Sequence, residues 1–149
     1  MQEQIDKDLK EALLSGDKAK AETLRGLKSA LLNEAIAQNA RQTGLSDEQV
    51  QKILARESKK RQEAADLYTQ GGSAERASTE LAEKAIIDAY LPEQMSQADI
   101  AKLVDKQIAQ AGNPTMQDMG KIIGAVRAQA GGAADGALIA RLVREKLNP

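Results

Sequence analysis

The chain has 149 residues, 42% of them hydrophobic, with 21 Lys and Arg against 22 Asp and Glu and a formal net charge of -1. That length allows one domain or two small ones, and a charge near zero does not mark the whole chain as a nucleic-acid binder, although a local basic surface remains compatible with it. Cysteine and histidine are absent, which excludes disulfides, thiol catalysis, thiolate metal sites and an imidazole base or ligand.

Two tyrosines are the only aromatics, while Ala, Leu, Lys, Gln and Glu abound, a composition that favours helices packed through small and aliphatic side chains over a sheet. No apolar run approaches the roughly 18 residues of a membrane span. The start, Met1-Gln2-Glu3-Gln4-Ile5-Asp6, lacks the features of a secretory signal. A cytoplasmic protein with no membrane partner is the expectation.

Residues 3–14 carry Ile5, Leu9, Ala12 and Leu13 at helical spacing, and Ser15-Gly16 ends the run. Asp17 is placed to cap a second helix from Lys18 to about Gln38. Its apolar side is Leu24, Leu27, Leu31 and Ala35, with Leu32 beside them, and Lys18, Arg25 and Lys28 read as a solvated flank. Asn39 to Leu45 reads as a loop.

The stretch from Ser46 to Gln70 is the least ambiguous. Ser46 with Gln49 matches a capping box, Asp47 and Glu48 occupy the first turn, and Gly71-Gly72 closes it. Val50, Ile53, Leu54, Ala64, Ala65 and Tyr68 share one face, opposite Lys52, Arg56, Lys59, Glu63 and Asp66. Glu57 and Arg61 fall inside the apolar stripe, four apart with the acid first, so a covered face demands a partner for each. Either they pair with each other at the edge of the core, or one of them ties this helix to another.

Ser73 is placed to cap a helix running to Tyr90, with Leu81, Ala82, Ala85, Ile86 and Ala89 as a broad buried side and Leu91-Pro92 as its stop. These elements make an N-terminal four-helix unit over residues 1–91. Pro92 to Ser96 is the candidate boundary. Ser96 with Asp99 opens the next helix, striped by Ile100, Leu103, Val104, Ile108 and Ala111, and Gly112 with Asn113-Pro114 ends it.

Thr115 with Asp118 caps a helix from about Met116 to Ala130, whose inward side is read as Met116, Met119, Ile123 and Val126 together with Gly120. Gly120 and Gly124 stand four apart in it, at about 1 kcal/mol each against alanine. Glycine is best tolerated where another backbone comes close, so a tight helix crossing is expected there, with ligand approach as the lesser option. After the bend Gly131-Gly132-Ala133-Ala134, Asp135 caps the last helix, Gly136 to Leu147, with Leu138, Ile139, Leu142 and Val143 inward and Arg141, Arg144 and Lys146 exposed or flanking. Residues 92–149 thus form a small three-helix C-terminal unit, and the whole chain is all-α.

No Walker loop, dinucleotide fingerprint, zincin motif or nucleophile elbow is present, and the glycines at 120 and 124 lie inside a helix with no strand before it. Acidic pairs such as Glu3 with Asp6, or Glu80 with Glu83, read as solvated charge on exposed faces. No catalytic residue, metal or cofactor is expected. Lys52, Arg56, Lys59 and Lys60 make a basic outer band, and the region after Pro92 has seven basic residues against six acidic ones. Such bands have the positive reach that phosphates need, yet an ordinary solvated helix looks much like this, and a helical protein-interaction role fits the same residues.

Several stretches together resemble the YqeY family over nearly the whole chain: Leu24-Arg25, Glu57-Ser58-Lys59-Lys60-Arg61-Gln62-Glu63-Ala64, Tyr90-Leu91-Pro92-Glu93-Gln94-Met95-Ser96, Met116-Gln117-Asp118-Met119-Gly120-Lys121-Ile122-Ile123-Gly124 and Ala134-Asp135-Gly136. That family is similar to the C-terminal tail of the B subunit of the glutamine-dependent amidotransferase acting on mischarged Glu-tRNA or Asp-tRNA. There, catalysis belongs to other domains and the helical tail approaches the tRNA body.

The resemblance implies an all-helical protein in two parts with a tRNA-related binding role, and any amidotransferase label is inherited from the related subunit. Asp118, Met119, Gly120, Lys121, Gly124, Asp135 and Gly136 match the shared motif. Of these, Asp118 and Asp135 read as caps and Gly120 and Gly124 as packing contacts. Lys121 and Arg127 read as phosphate donors, joined as RNA-contact candidates by Arg141 and Arg144 and helped by Lys59 and Lys60. Two alternatives stand beside this. One is a protein–protein module, with an apolar groove between the helical units and a partner from the translation or aminoacylation machinery. The other is an accessory to carbon–nitrogen ligase activity with glutamine as amido donor. DNA is not an expected partner.

Overall fold

A computed structural model describes residues Met1–Pro149. Four helices make up the unit Met1–Leu91: α1 Gln2–Ser15, α2 Lys18–Ala37, α3 Asp47–Gln70 and α4 Ala74–Asp88. Three make up the unit Pro92–Pro149: α5 Gln97–Gln110, α6 Met119–Ala130 and α7 Gly136–Leu147, with 3-10 turns at Met116–Asp118 and Gly131–Ala133. The chain is all-α, as its composition and periodicity imply. No helix is long and apolar enough to cross a membrane.

The helix starts follow from local chemistry. Asp17 accepts from the Lys20 backbone N–H at 3.1 Å, and Ser46 and Gln49 form the full reciprocal capping box. Ser96 accepts from the Asp99 N–H at 3.1 Å while its hydroxyl donates to the Asp99 carboxylate; that hydroxyl, above all, holds the carboxyl below its usual range. Gly16 ends α1 in the left-handed region at φ 75°, where a side chain would be strained. Ser73 is an exception to the expected caps: its side chain bonds nothing at the start of α4, and its backbone N–H closes the Gly71-Gly72 turn on the Tyr68 carbonyl at 2.8 Å. α4 also stops two residues early, and Tyr90 and Leu91 continue as turns bonded to Ile87 and Asp88.

The core of the N-terminal unit joins Ile5 of α1, Leu24, Leu27, Leu31 and Ala35 of α2, Leu45 of the loop, Val50, Ile53 and Leu54 of α3 and Ile87 of α4. Side chains of this size, fully enclosed, each contribute about 1.5–3 kcal/mol from water exclusion.

Beyond Leu54 the α3–α4 contact changes character. Most of the expected buried side of α4 faces outward: Leu81, Ala82, Ala85 and Ala89 are exposed and only Ile86 of that set packs half-buried against the core, while Ala77 and Ile87 are buried and Glu80, Glu83, Lys84 and Asp88 are half-buried towards α3. The reason lies on α3. At this level it presents Ser58, Arg61 and Ala65, and a half-buried guanidinium needs carboxylates opposite it. Arg61 Nη1 lies 3.4 Å from Glu80 and Nε 3.1 Å from Glu83. Nε is itself buried and lacks a well-aligned hydrogen bond, so its link to Glu83 is an ion pair only. Asp88 accepts from the Ser58 hydroxyl and from Lys84.

Glu57 and Arg61 therefore do not pair with each other. Arg61 ties α3 to α4, and Glu57 sits 2.8 Å from Lys60 on its own helix. Glu80 and Glu83, read from sequence as solvated charge, are the partners that Arg61 required.

The C-terminal unit closes on Ile100 and Val104 of α5, Ile122 and Val126 of α6, and Ile139, Leu142 and Val143 of α7. Met95 anchors the entry to α5 through its backbone N–H, which donates to the Ala133 carbonyl at 2.7 Å. Met116, expected inside, is 44% exposed, and Ile122 takes the inward position instead. Its turn is 3-10, with three residues per turn, so the phase of the stripe shifts where α6 begins.

Candidate nucleic-acid interface

The matched motif opens with a reciprocal cap. The Thr115 hydroxyl accepts from the Gln117 N–H at 3.3 Å, and the Asp118 carboxylate accepts from the Thr115 N–H at 2.8 Å. α6 leaves this turn with Ile122, Val126 and Ala130 buried and Met119 and Ile123 half-buried. A helix advances roughly 100° per residue, so Gly120, Gly124 and Ala128 run along the opposite, solvent face, where all three are exposed.

This corrects the expectation of a tight crossing. A Cβ placed on Gly120 or Gly124 would meet no atom within 4 Å, because the aliphatic residues on the other side already supply the whole helix contact. Lys121 and Arg127 flank this bare strip on opposite sides, and both are exposed.

Gly136 has a local cause. A Cβ there would run into the Arg127 guanidinium, so glycine leaves Arg127 room to lie against the first turn of α7. Asp135 caps that turn by accepting from the Ala137 N–H at 2.8 Å. Arg141 and Arg144 continue along the outer face of α7, about 7 and 12 Å beyond Gly136 at the rise of a helix. Arg141 lies 3.9 Å from the exposed Glu145 carboxylate, a loose surface pair that leaves its charge largely available.

Arg127 thus lies against the first turn of α7, and Arg141 and Arg144 stand further along that helix. Lys121 stands apart from them and lines a shallow depression of about 250 Å³ with Gln107, Gln110, Asn113 and Asp118. Lys146, also on α7, is engaged by Asp105 at 2.5 Å.

Lys59 and Lys60 belong to the other unit. Both are exposed on α3, but the Lys60 charge is met by Glu57. No group of three or more acidic side chains converges as a metal site. Sequence reading missed that Arg127 is seated by Gly136; an arginine and a helix-starting glycine nine positions apart carry no periodic signal.

Among curated proteins none matches the chain. The family model of Yqey-like proteins matches residues 2–147, from the first turn of α1 to the end of α7. With the motif residues placed as caps, open glycines and flanking cations on a scaffold of four helices and then three, the chain belongs to the YqeY family.

Proposed function

We propose that the C-terminal unit is a non-catalytic module that rests on the backbone of a folded RNA, with tRNA as the ligand and the cytoplasm as the setting. The observation that carries the reading is the bare strip at Gly120 and Gly124 with cations on both flanks. Two open glycines lower helix stability without gaining any packing, and what they leave is room for a bulky polyanion to come close. Arg127, Arg141 and Arg144 supply further positive charge along α7. Phosphate contacts of this kind position an RNA by shape without reading its sequence.

Titration of fluorescent total tRNA with the full-length chain across a salt series tests this. Affinity falls with salt, and Arg141→Gln with Arg144→Gln lowers both the affinity and the salt slope, by roughly one unit or less per phosphate contact. Gly124→Leu weakens binding while leaving the slope unchanged, since it blocks approach without touching charge. Undetectable or salt-independent association at low ionic strength would overturn the proposal.

A further inference from the structure

A second surface lies wholly within the N-terminal unit. The start of α1, one side of α2 and the loop from Ala40 to Gly44 enclose an open groove of about 500 Å³. Its floor is the back of the core, Ile5, Leu31 and Ala35, all buried. Leu32 stands in its wall 52% exposed, and Ile36, one turn further along α2, is 46% exposed. Two aliphatic side chains four apart on one helix are thus left in water beside an apolar hollow.

Around this strip the cations outnumber the acids left without an ion pair. Lys28 and Arg41 line the groove and Arg25 stands one turn before Lys28. Of the acids nearby, Asp6 is engaged by Lys28 at 2.5 Å and Glu34 by Arg56 at 3.4 Å and by Gln38, while Glu22, exposed one turn before Arg25, makes no ion pair. Arg25 on α2 and Arg41 in the loop wall of the groove are likewise exposed and make no ion pair. A ligand filling the hollow alone would leave Ile36 and Arg25 uncovered. A nucleic acid would set phosphates against Leu32 and Ile36, which offer neither a hydrogen bond nor an aromatic face for a base to stack on.

We propose that this groove docks an acidic amphipathic helix of a protein partner, its apolar side chains one turn apart on Leu32 and Ile36 and its carboxylates on Arg25 and Arg41. This is helix-in-groove recognition, with aliphatic anchors for affinity and charge for orientation. It does not depend on the RNA reading, which concerns the other unit.

Selection of a displayed library of helical peptides about 18 residues long against the full-length chain tests it. Enriched peptides carry apolar residues at i, i+3 or i+4 and i+7, with Asp or Glu towards both ends. By fluorescence anisotropy a selected peptide binds at least tenfold more weakly to Leu32→Asp, to Ile36→Asp and to Arg41→Glu, all exposed positions whose folding is checked by circular dichroism. Excess tRNA does not displace it, and its charge-reversed version does not bind. Failure to enrich any binder, enrichment without acidic residues, or unchanged binding to these variants would overturn the proposal. So would a dimer in analytical ultracentrifugation that Leu32→Asp dissolves, since a second copy would then be the occupant.

Discussion

The Tyr90 hydroxyl donates to the Asp8 carboxylate, joining α1 to the turn after α4 across 82 positions of sequence. Burial, with the Asp8 charge beside it, pushes the Tyr90 phenol above its ordinary value, and the Tyr90 hydroxyl is the main reason that the Asp8 carboxyl sits below its own. Tyr90→Phe should cost about 1 kcal/mol near pH 7, less than a fully buried bond to a charged group because Asp8 stays partly hydrated.

The two shifts define the pH window of that bond. Asp8, lowered in the folded chain, contributes fully above its unfolded value and loses that contribution as pH falls through the folded one. Tyr90, raised, contributes fully below its unfolded value near about 10 and loses it as pH rises towards the folded one. Urea unfolding of wild type and Tyr90→Phe should therefore converge as pH falls below the ordinary aspartate range and again above about pH 10. A constant gap across that range would contradict this account.

Arg61 lies between two carboxylates of α4. Arg61→Ala leaves Glu80 and Glu83 facing each other half-buried, and should cost about 1–3 kcal/mol in denaturant unfolding. Adding Glu80→Gln to that background should recover part of the loss. Glu57→Gln, which disturbs only a local pair with Lys60, should stay within about 0.5 kcal/mol of wild type.

Gly120→Ala and Gly124→Ala should each stabilise the chain, by up to about 1 kcal/mol. Neither position has positive φ, and neither Cβ would meet a neighbour. Thermal unfolding measures this directly. A tight helix crossing would produce the opposite sign.

The outward side of α4 allows a paired comparison. Leu81→Gln should change stability by less than about 0.5 kcal/mol, as for other exposed positions. Ala77→Leu, at a site only 5% exposed against α3, should cost about 1–3 kcal/mol through overpacking.

What was legible in the sequence was whatever is decided within a few residues. Ser46 with Gln49, Thr115 with Asp118, and Asp135 mark helix starts because a cap is a local hydrogen bond, and the aliphatic spacing of α2 and α7 points their core faces correctly. The face of α4 was not legible locally. Leu81, Ala82, Ala85 and Ala89 form the more apolar stripe, and only the need of Arg61, some twenty positions away, turns the helix the other way. Gly120 and Gly124 misled for a related reason: their cost suggested a packing partner, and open space satisfies the sequence equally well. At the candidate interface the cations could be named, but the seating of Arg127 by Gly136 depends on how α6 and α7 meet.

Between Ser58 and Ile87 the α3–α4 hairpin encloses no side chain larger than alanine, its fully buried contacts there being Ala65 and Ala77. The outer turns of both helices are thus joined by charge and by small side chains, while the inner turns share the aliphatic core. Amide protons of the outer turns should exchange with solvent through partial openings that leave Val50 to Leu54 shut. Added salt should widen that difference, because it screens the half-exposed pairs and leaves the enclosed leucines and isoleucines untouched.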